Sequence, residues 1–463
     1  MKNKSATSIY RDEFIVIISY LFSIMCTLVL PGGLSSIISI FVVIVIAGIA
    51  SGGSKINRDA VSLLLVLPVI MSCLQNVYLG ASAEKQTSMS LQISLSCHIL
   101  LLLIFFLVNI KKIQRYDSKV LLLVILIFFD SIFLCIVHPS NPVAFISSFR
   151  NIISMMLFFA FSMVLSKNFS EKKYYQLICY VAWLVILFGL FEYIRGLGVW
   201  QSLGITRLWG LKGIATNIIG IPPNWYSSES FGGNIVRRMV SSFADPVNLG
   251  TFLFAVLVIA WYQKKKCLQI FSLLCILLTV SKGAFLGILI FIIVYTASKK
   301  NTKILVPVVG LCVLITGLHF IAFSAKSSSG SVFAHINGFL NSFYVLATNP
   351  LGLGVGNVGV LSGLFNASLK NFSVSETGIG MIIAQLGIPG LIIFIIFFIH
   401  LIVLGKKRIT FDIRNKTLYY SLLFGFIANA MFNEVALSPN SCGLYFIQLA
   451  VLINSSEEIQ GKE

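Results

Sequence analysis

The residues with the most chemical promise lie in one stretch, Arg237-Arg238-Met239-Val240-Ser241-Ser242-Phe243-Ala244-Asp245-Pro246-Val247-Asn248-Leu249-Gly250. Two adjacent guanidinium groups, an acid and an amide fall where a long polar segment meets an apolar run. Arginine makes paired hydrogen bonds to phosphate oxygens, so the pair suits an anionic, phosphate-bearing ligand. Asp245 before Pro246 has a second reading as a helix N-cap followed by a first-turn proline. A helix starting there would aim free backbone N–H groups and its positive dipole end at the same anion.

The rest of the chain must place this cluster at a membrane edge. Of 463 residues, 57% are hydrophobic and 11% charged, against about 25% charged in a soluble domain. The expected fold is an all-α polytopic integral membrane protein with about 12–14 transmembrane helices and two large extracytoplasmic loops. Spans are read at about 14–30, 34–50, 60–79, 91–110, 120–137, 149–166, 174–193, 247–262, 267–280, 284–298, 304–322, 377–404, 417–435 and 439–453. Helices are expected because an open sheet leaves backbone groups unsatisfied in lipid. The net charge of +18 follows the positive-inside rule; a nucleic-acid partner is not expected. With both termini inside, 24 of the 34 Lys and Arg fall on the inner side, which sets the orientation. The basic and apolar N-terminus reads as an uncleaved first span. The nine cysteines sit in or beside apolar runs without a CxxC pair, so neither a disulfide framework nor a metal site is expected.

The chain divides into an N-terminal bundle (1–193), a first outer loop (194–246), central helices (247–322), a second outer loop (323–376) and C-terminal helices (377–463). Ser281-Lys282-Gly283 is read as a turn below the outer surface. A single helix through 267–298 would separate Lys299-Lys300 from Lys264–Lys266. A lysine in that turn would face a cavity, not lipid. The first loop carries Arg195, Arg207, Lys212, Arg237 and Arg238, against the orienting bias. The intramembrane charges are Asp130, Arg150, Glu192 and Glu434. Arg150 is a candidate for the cation cluster with Asp130 as partner, and Glu434 for the cavity wall. Trp200, Trp209, Trp225 and Tyr226 suit either stacking on sugar rings or an interfacial belt. Gly352, Gly354, Gly356 and Gly359 lack the strand and lysine of a nucleotide loop and read as a tight turn.

Four motifs occur in order: Arg238-x-x-Ser-Ser-Phe-Ala-Asp-Pro-Val-Asn-Leu-Gly; Leu-Thr-Val-Ser-Lys-Gly-Ala-Phe-Leu-Gly at 278–287; Asn-Pro-Leu-Gly-Leu-Gly-Val-Gly at 349–356; and Ser-Glu-Thr-Gly-Ile-Gly-Met-Ile-Ile-Ala-Gln-Leu-Gly-Ile-Pro-Gly-Leu at 375–391. Over roughly 235–400 the chain resembles the O-antigen ligase/polymerase family, bacterial polysaccharide polymerases of the Wzy type and their ligase relatives. The resemblance implies inverting glycosyl transfer from an undecaprenyl-diphosphate-linked oligosaccharide on the outer face of the bacterial cytoplasmic membrane, without cofactor or metal. It implies membrane lipid, a flippase and a chain-length regulator as partners. Arg238 matches the arginine taken to hold the lipid diphosphate. Lys282 stands where the family usually has arginine, which keeps the charge and loses the fork. Ligase members carry a histidine where this chain has Glu376. That favours a polymerase, and it makes Glu376 the leading candidate base.

The chemistry needs cations for the leaving diphosphate, from Arg237, Arg238, Lys282 and Arg150. It also needs a group to orient and deprotonate the acceptor hydroxyl. Glu376 and His335 are the catalytic candidates; Asp245 and Glu434 are accessory. Glu376 also reads as a helix-start acid and His335 as a surface residue. Alternatives are a ligase with another acceptor and a lipid-linked oligosaccharide flippase, for which inverted repeats would be the mark.

Overall fold

The computed structural model describes residues 11–52, 56–214, 216–231, 234–299, 331–359, 377–409 and 412–460, with backbone alone at 228–231, 234, 331–335 and 457–460. The chain is an all-α polytopic bundle. The first seven helices are α1 (Arg11–Val29), α2 (Gly32–Ser51), α3 (Arg58–Ala81), α4 (Ser88–Val108), α5 (Ile110–Val137), α6 (Pro142–Leu165) and α7 (Glu171–Arg195). Two short helices follow, α8 (Gly198–Ser202) and α9 (Ile205–Leu211), then an antiparallel hairpin of β1 (Tyr226–Phe231) and β2 (Asn234–Arg237). The rest are α10 (Pro246–Tyr262), α11 (Lys266–Thr279), α12 (Lys282–Ser298), α13 (Ser331–Thr348), α14 (Gly378–Arg408), α15 (Ile413–Phe432) and α16 (Pro439–Gln460).

Eight of these, α1–α7 and α14, are long and apolar enough to cross a membrane, and α10, α11 and α12 are shorter apolar helices. The expected span at 304–322 lies outside the described residues. α10 is apolar on every side and buried over nearly its whole length, as a helix inside a bundle should be. α16 is buried from Ser441 to Asn454 and packs on α6, α10 and α15. Its polar residues pair inside the protein: Gln448 bonds Tyr174 and Tyr175, and Asn454 bonds Ser166 and the Met163 carbonyl.

The break between α11 and α12 is real. Val280 adopts the left-handed conformation (φ 48°) and ends α11. The chain then reverses. Thr279 and Ser281 lie against Gly250 near the start of α10, whereas Trp261 at its far end meets the rings of Phe291 and Tyr295 in α12. α10 and α12 therefore run in the same direction, and Lys264–Lys266 and Lys299 share one end of the bundle. Gly250 has no side chain because a Cβ there would lie 2.6 Å from the Ser281 Cβ.

α5 begins ten residues earlier than the span read at 120–137. The basic run Lys111–Arg115 is helical, and the path breaks only at Asp117 (φ −156°, ψ 86°). α6 likewise begins at Pro142, capped by the Asn141 side chain. Arg150 is therefore two turns inside the helix, about 12 Å from its start at 1.5 Å per residue.

α14 is broken at Gly387 (φ 62°) ahead of Pro389. Proline has no N–H for the Gln385 carbonyl, which instead accepts from Gly354 N at 3.1 Å. Ala384 O accepts from Leu353 N at 2.8 Å, and Ile388 N donates to Pro350 O at 2.8 Å. The Gln385 side chain completes the seal, accepting from Gly356 N and donating to Val358 O. The glycine-rich run is thus the partner of a broken helix, wedged against the α5–α6 turn. Gly356 has φ +85°, and a Cβ there would lie 2.8 Å from the Phe145 backbone nitrogen. We predict that Gly356→Ala lowers stability by about 1–3 kcal/mol, read as a fall in melting temperature in detergent. Gly33→Ala, with nothing within 4 Å, should leave it unchanged; equal behaviour of the two would contradict this packing.

Candidate functional site

The first long loop folds into a cap with its own small core. Trp200, Ile205, Leu208, Trp209, Ile221 and Trp225 pack on Leu79, Leu91 and Leu95 of α3 and α4. Trp200 and Trp225 are fully buried and Trp209 nearly so, which corrects both readings of these indoles, as sugar platforms and as an interfacial belt. Their aromatic area holds the cap down.

The two consecutive arginines have different surroundings. Arg237 turns back to α7, where its Nη2 lies 2.5 Å from Glu192 Oε2 and its Nη1 donates to Tyr193 O at 3.1 Å. Glu192 is completely buried. Its other oxygen accepts from Val240 N at 3.0 Å and Ser241 N at 3.2 Å, so the charge is paired and hydrogen-bonded, as burial demands. Arg238 turns toward the α11–α12 break. Its Nε donates to Thr279 O at 2.7 Å and its Nη1 to Asn224 O at 3.1 Å. A cation on the open carbonyls at a helix C-terminus is favoured by the dipole.

Asp245 is the N-cap of α10. Its Oδ1 accepts from Val247 N at 2.9 Å and Asn248 N at 2.7 Å, and its Oδ2 from Asn224 Nδ2 at 2.8 Å. Capping and cap attachment thus occupy both oxygens. Beyond it, Asn248 accepts from Ser438 and Ser441, and Thr251 from Asn429. These bonds join α10 to α15 and α16 through a polar seam. Lys282 opens α12 at the same end. Glu434 begins a buried one-turn helix, Glu434–Leu437, and its carboxylate borders Gly359.

Arg150 is in a different situation. Its Nε and Nη1 are buried and have no hydrogen-bond partner among the described residues. Asp130 is not its counter-ion: Asp130 Oδ2 is itself buried without a partner. Lys212, at the end of α9, and His98 of α4 both lie within reach of the Arg150 charge. Lys212 Nζ donates to Asn76 Oδ1 at 2.8 Å and lies 4.5 Å above the Trp209 ring. Asn76 in turn donates to Phe243 O at 2.6 Å, tying the lysine to the turn before α10. Burial first, then the Arg150 charge, push the Lys212 ammonium down to about 7, with Asp245 opposing. His98 Nε2 and Trp209 Nε1 are also buried without partners. The result is a group of buried and half-buried side chains, two of them cationic, with more donors than acceptors among the described residues. Such an arrangement is complementary to an anion.

Arg150, Arg237, Arg238, Asp245, Lys282 and Glu434 all lie at the cap end. The Glu376 candidate, and the side chain of His335, fall outside the described residues. Lys212 and Asn76 did not stand out in the sequence as site residues, since a loop lysine and a helical asparagine carry no signal of their pairing. Glu192 stood among the four intramembrane charges, and no partner was read for it in the sequence.

Lys212 binds its proton more weakly in the fold than at its ordinary value of 10.5. The unfolded chain therefore holds more protons between about pH 7 and 10.5, and stability rises with pH across that window. The cost is fully present below about pH 7. We predict that the melting temperature in detergent rises more steeply over this range for the unaltered protein than for Lys212→Met. Parallel slopes would place Lys212 in water instead. No protein-family model matches the chain, and no characterised protein matches it in sequence.

Proposed function

We propose that this protein is a membrane glycosyltransferase that polymerises undecaprenyl-diphosphate-linked oligosaccharide repeat units into O-antigen or capsular polysaccharide. The work is done on the outer face of the bacterial cytoplasmic membrane, where the cap would lie. The observation that carries the reading is the Arg150 guanidinium, with two buried nitrogens unpartnered among the described residues, beside the half-buried Lys212. A diphosphate supplies the acceptors and negative charge that this group of donors lacks.

The donor arrives activated by its lipid diphosphate. In inverting transfer the acceptor hydroxyl attacks the anomeric carbon from the face opposite the diphosphate. The C–O bond to the diphosphate breaks as the new one forms, and the electron pair leaves on the phosphate oxygen. Arg150 and Lys212 are placed in our reading to take up that charge, which fixed cations do best in a dry site. Arg238 and Lys282 stand at the α11–α12 break, at the rim, where they meet the lipid-linked phosphates as these enter. Arg237 is left a structural role, since its Nη2 pairs with Glu192 and its Nη1 donates to Tyr193 O. The acceptor proton leaves to a base, for which Glu376 is our first candidate and His335 the second. A flippase would deliver the repeat units, and a chain-length regulator would set the number joined.

Arg150→Gln should lower polymer formation by roughly a hundredfold or more, the order seen when one charge-stabilising donor is removed. Arg238→Ala should do the same more weakly. In both, single repeat units accumulate on the carrier lipid, visible on a gel of lipid-linked glycans from membranes with equal protein content. Full-length chains from both variants would overturn the proposal.

A further inference from the structure

The opposite end of the bundle carries a second cationic feature, independent of the proposed reaction. α5 breaks at Asp117, and α14 passes beside the break. His400 Nε2 of α14 and Asp117 Oδ2 are 2.7 Å apart, while Asp117 Oδ1 accepts from Val120 N at 3.1 Å. Both carboxylate oxygens are thus engaged within the protein, so the acid forms the floor of the gap and is not aimed out of it. Above lies a cavity of about 300 Å³ walled by Arg115, Lys119, Lys407 and Arg408, with Leu404 beneath. Arg115, Lys119 and Lys407 are exposed.

Two apolar stripes lead away from this cavity along the helices. On α5, Leu122, Leu126, Phe129, Phe133 and Ile136 follow Lys119 at three- and four-residue steps, and all are exposed. On α14, Val403, Ile399, Ile396 and Ile392 precede Lys407 in the same way and are also exposed. Residues at this spacing share one helix face. Each helix therefore presents cations at one level and a continuous greasy face toward the membrane interior. A free phosphate ion would use the cations alone. A phospholipid with an anionic head group would use both parts, the phosphate among the cations and the acyl chains on the stripes. Basic pockets between helices at this level are suited to such head groups.

We propose that the cavity between α5 and α14 binds the head group of an anionic phospholipid, with its acyl chains laid along the two stripes. The test is native mass spectrometry of the full chain, titrated with phosphatidylglycerol, phosphatidylcholine or potassium phosphate. The unaltered protein should retain phosphatidylglycerol and neither of the others. Each lysine near an anionic head group contributes roughly fivefold in affinity, so Lys119→Ala with Lys407→Ala should weaken phosphatidylglycerol binding by about 25-fold. Lys406→Ala removes one exposed charge that does not line the cavity, and it should change binding by less than about twofold, against roughly fivefold for one charge within the cavity. A roughly fivefold loss in Lys406→Ala, as large per charge as in the double variant, would reduce the effect to bulk charge and overturn the site. Equal retention of phosphatidylcholine would remove the charge argument, and retention of phosphate at the same strength would make it a free-anion site. The three alanine substitutions fall on exposed side chains, so folding is not the variable.

Discussion

The carboxylate of Glu192 holds the cap onto the bundle. A lone carboxylate buried in apolar surroundings is costly, and the cost is offset here by three donors at once. Arg237 brings the end of the hairpin, and the N–H groups of Val240 and Ser241 bring the turn that follows. With that turn fixed, Ser241 and Ala244 adopt positive φ (46° and 52°), and Asp245 arrives in register to cap α10. The neighbouring Arg238 is then directed to the open carbonyls at the end of α11. One buried acid thus sets the start of α10, the seat of the cap and the sealing of the α11–α12 break.

The same logic separates the cations of the cap end into two kinds. Arg237 and Arg238 donate to carboxylate and carbonyl oxygens of the fold. Arg150 and Lys212 are half-buried with few acceptors among the described residues, and the Arg150 charge raises the cost of charging Lys212. Desolvated like charges are not retained for stability, so their proximity directs attention to a ligand that supplies the missing acceptors. In a chain with so few charges, this departure from polar pairing is the strongest local pointer to function.

Much of the architecture was legible in the sequence. Apolar length marks the helices, Asp245-Pro246 marks a helix start, and the even distribution of lysine clusters requires a reversal near Ser281, which the structure has. The features that escaped depend on tertiary pairing. The strands at 226–231 and 234–237 carry no alternating pattern, and nothing in the long polar loop hinted that three tryptophans would form a core. The basic run before Asp117 looks like a loop by charge, yet its backbone is helical. Pro389 foretells a kink, not that Gly352–Gly356 would receive the carbonyls it frees. Lys212 is the clearest case: its ammonium is depressed first by burial in the cap and then by Arg150, some sixty residues away in sequence, and no local pattern encodes either.

The central claim is that the Arg150–Lys212 pair receives the diphosphate. Lys212 sits over the Trp209 ring, so a ligand that draws the ammonium toward itself changes the surroundings of that indole. Titration of the purified protein with a short-chain polyprenyl diphosphate, followed by tryptophan emission, reads this directly. The account predicts a saturable change that disappears in Trp209→Phe and is abolished by Arg150→Gln. An unchanged emission, or the same titration curve in Arg150→Gln, would contradict it.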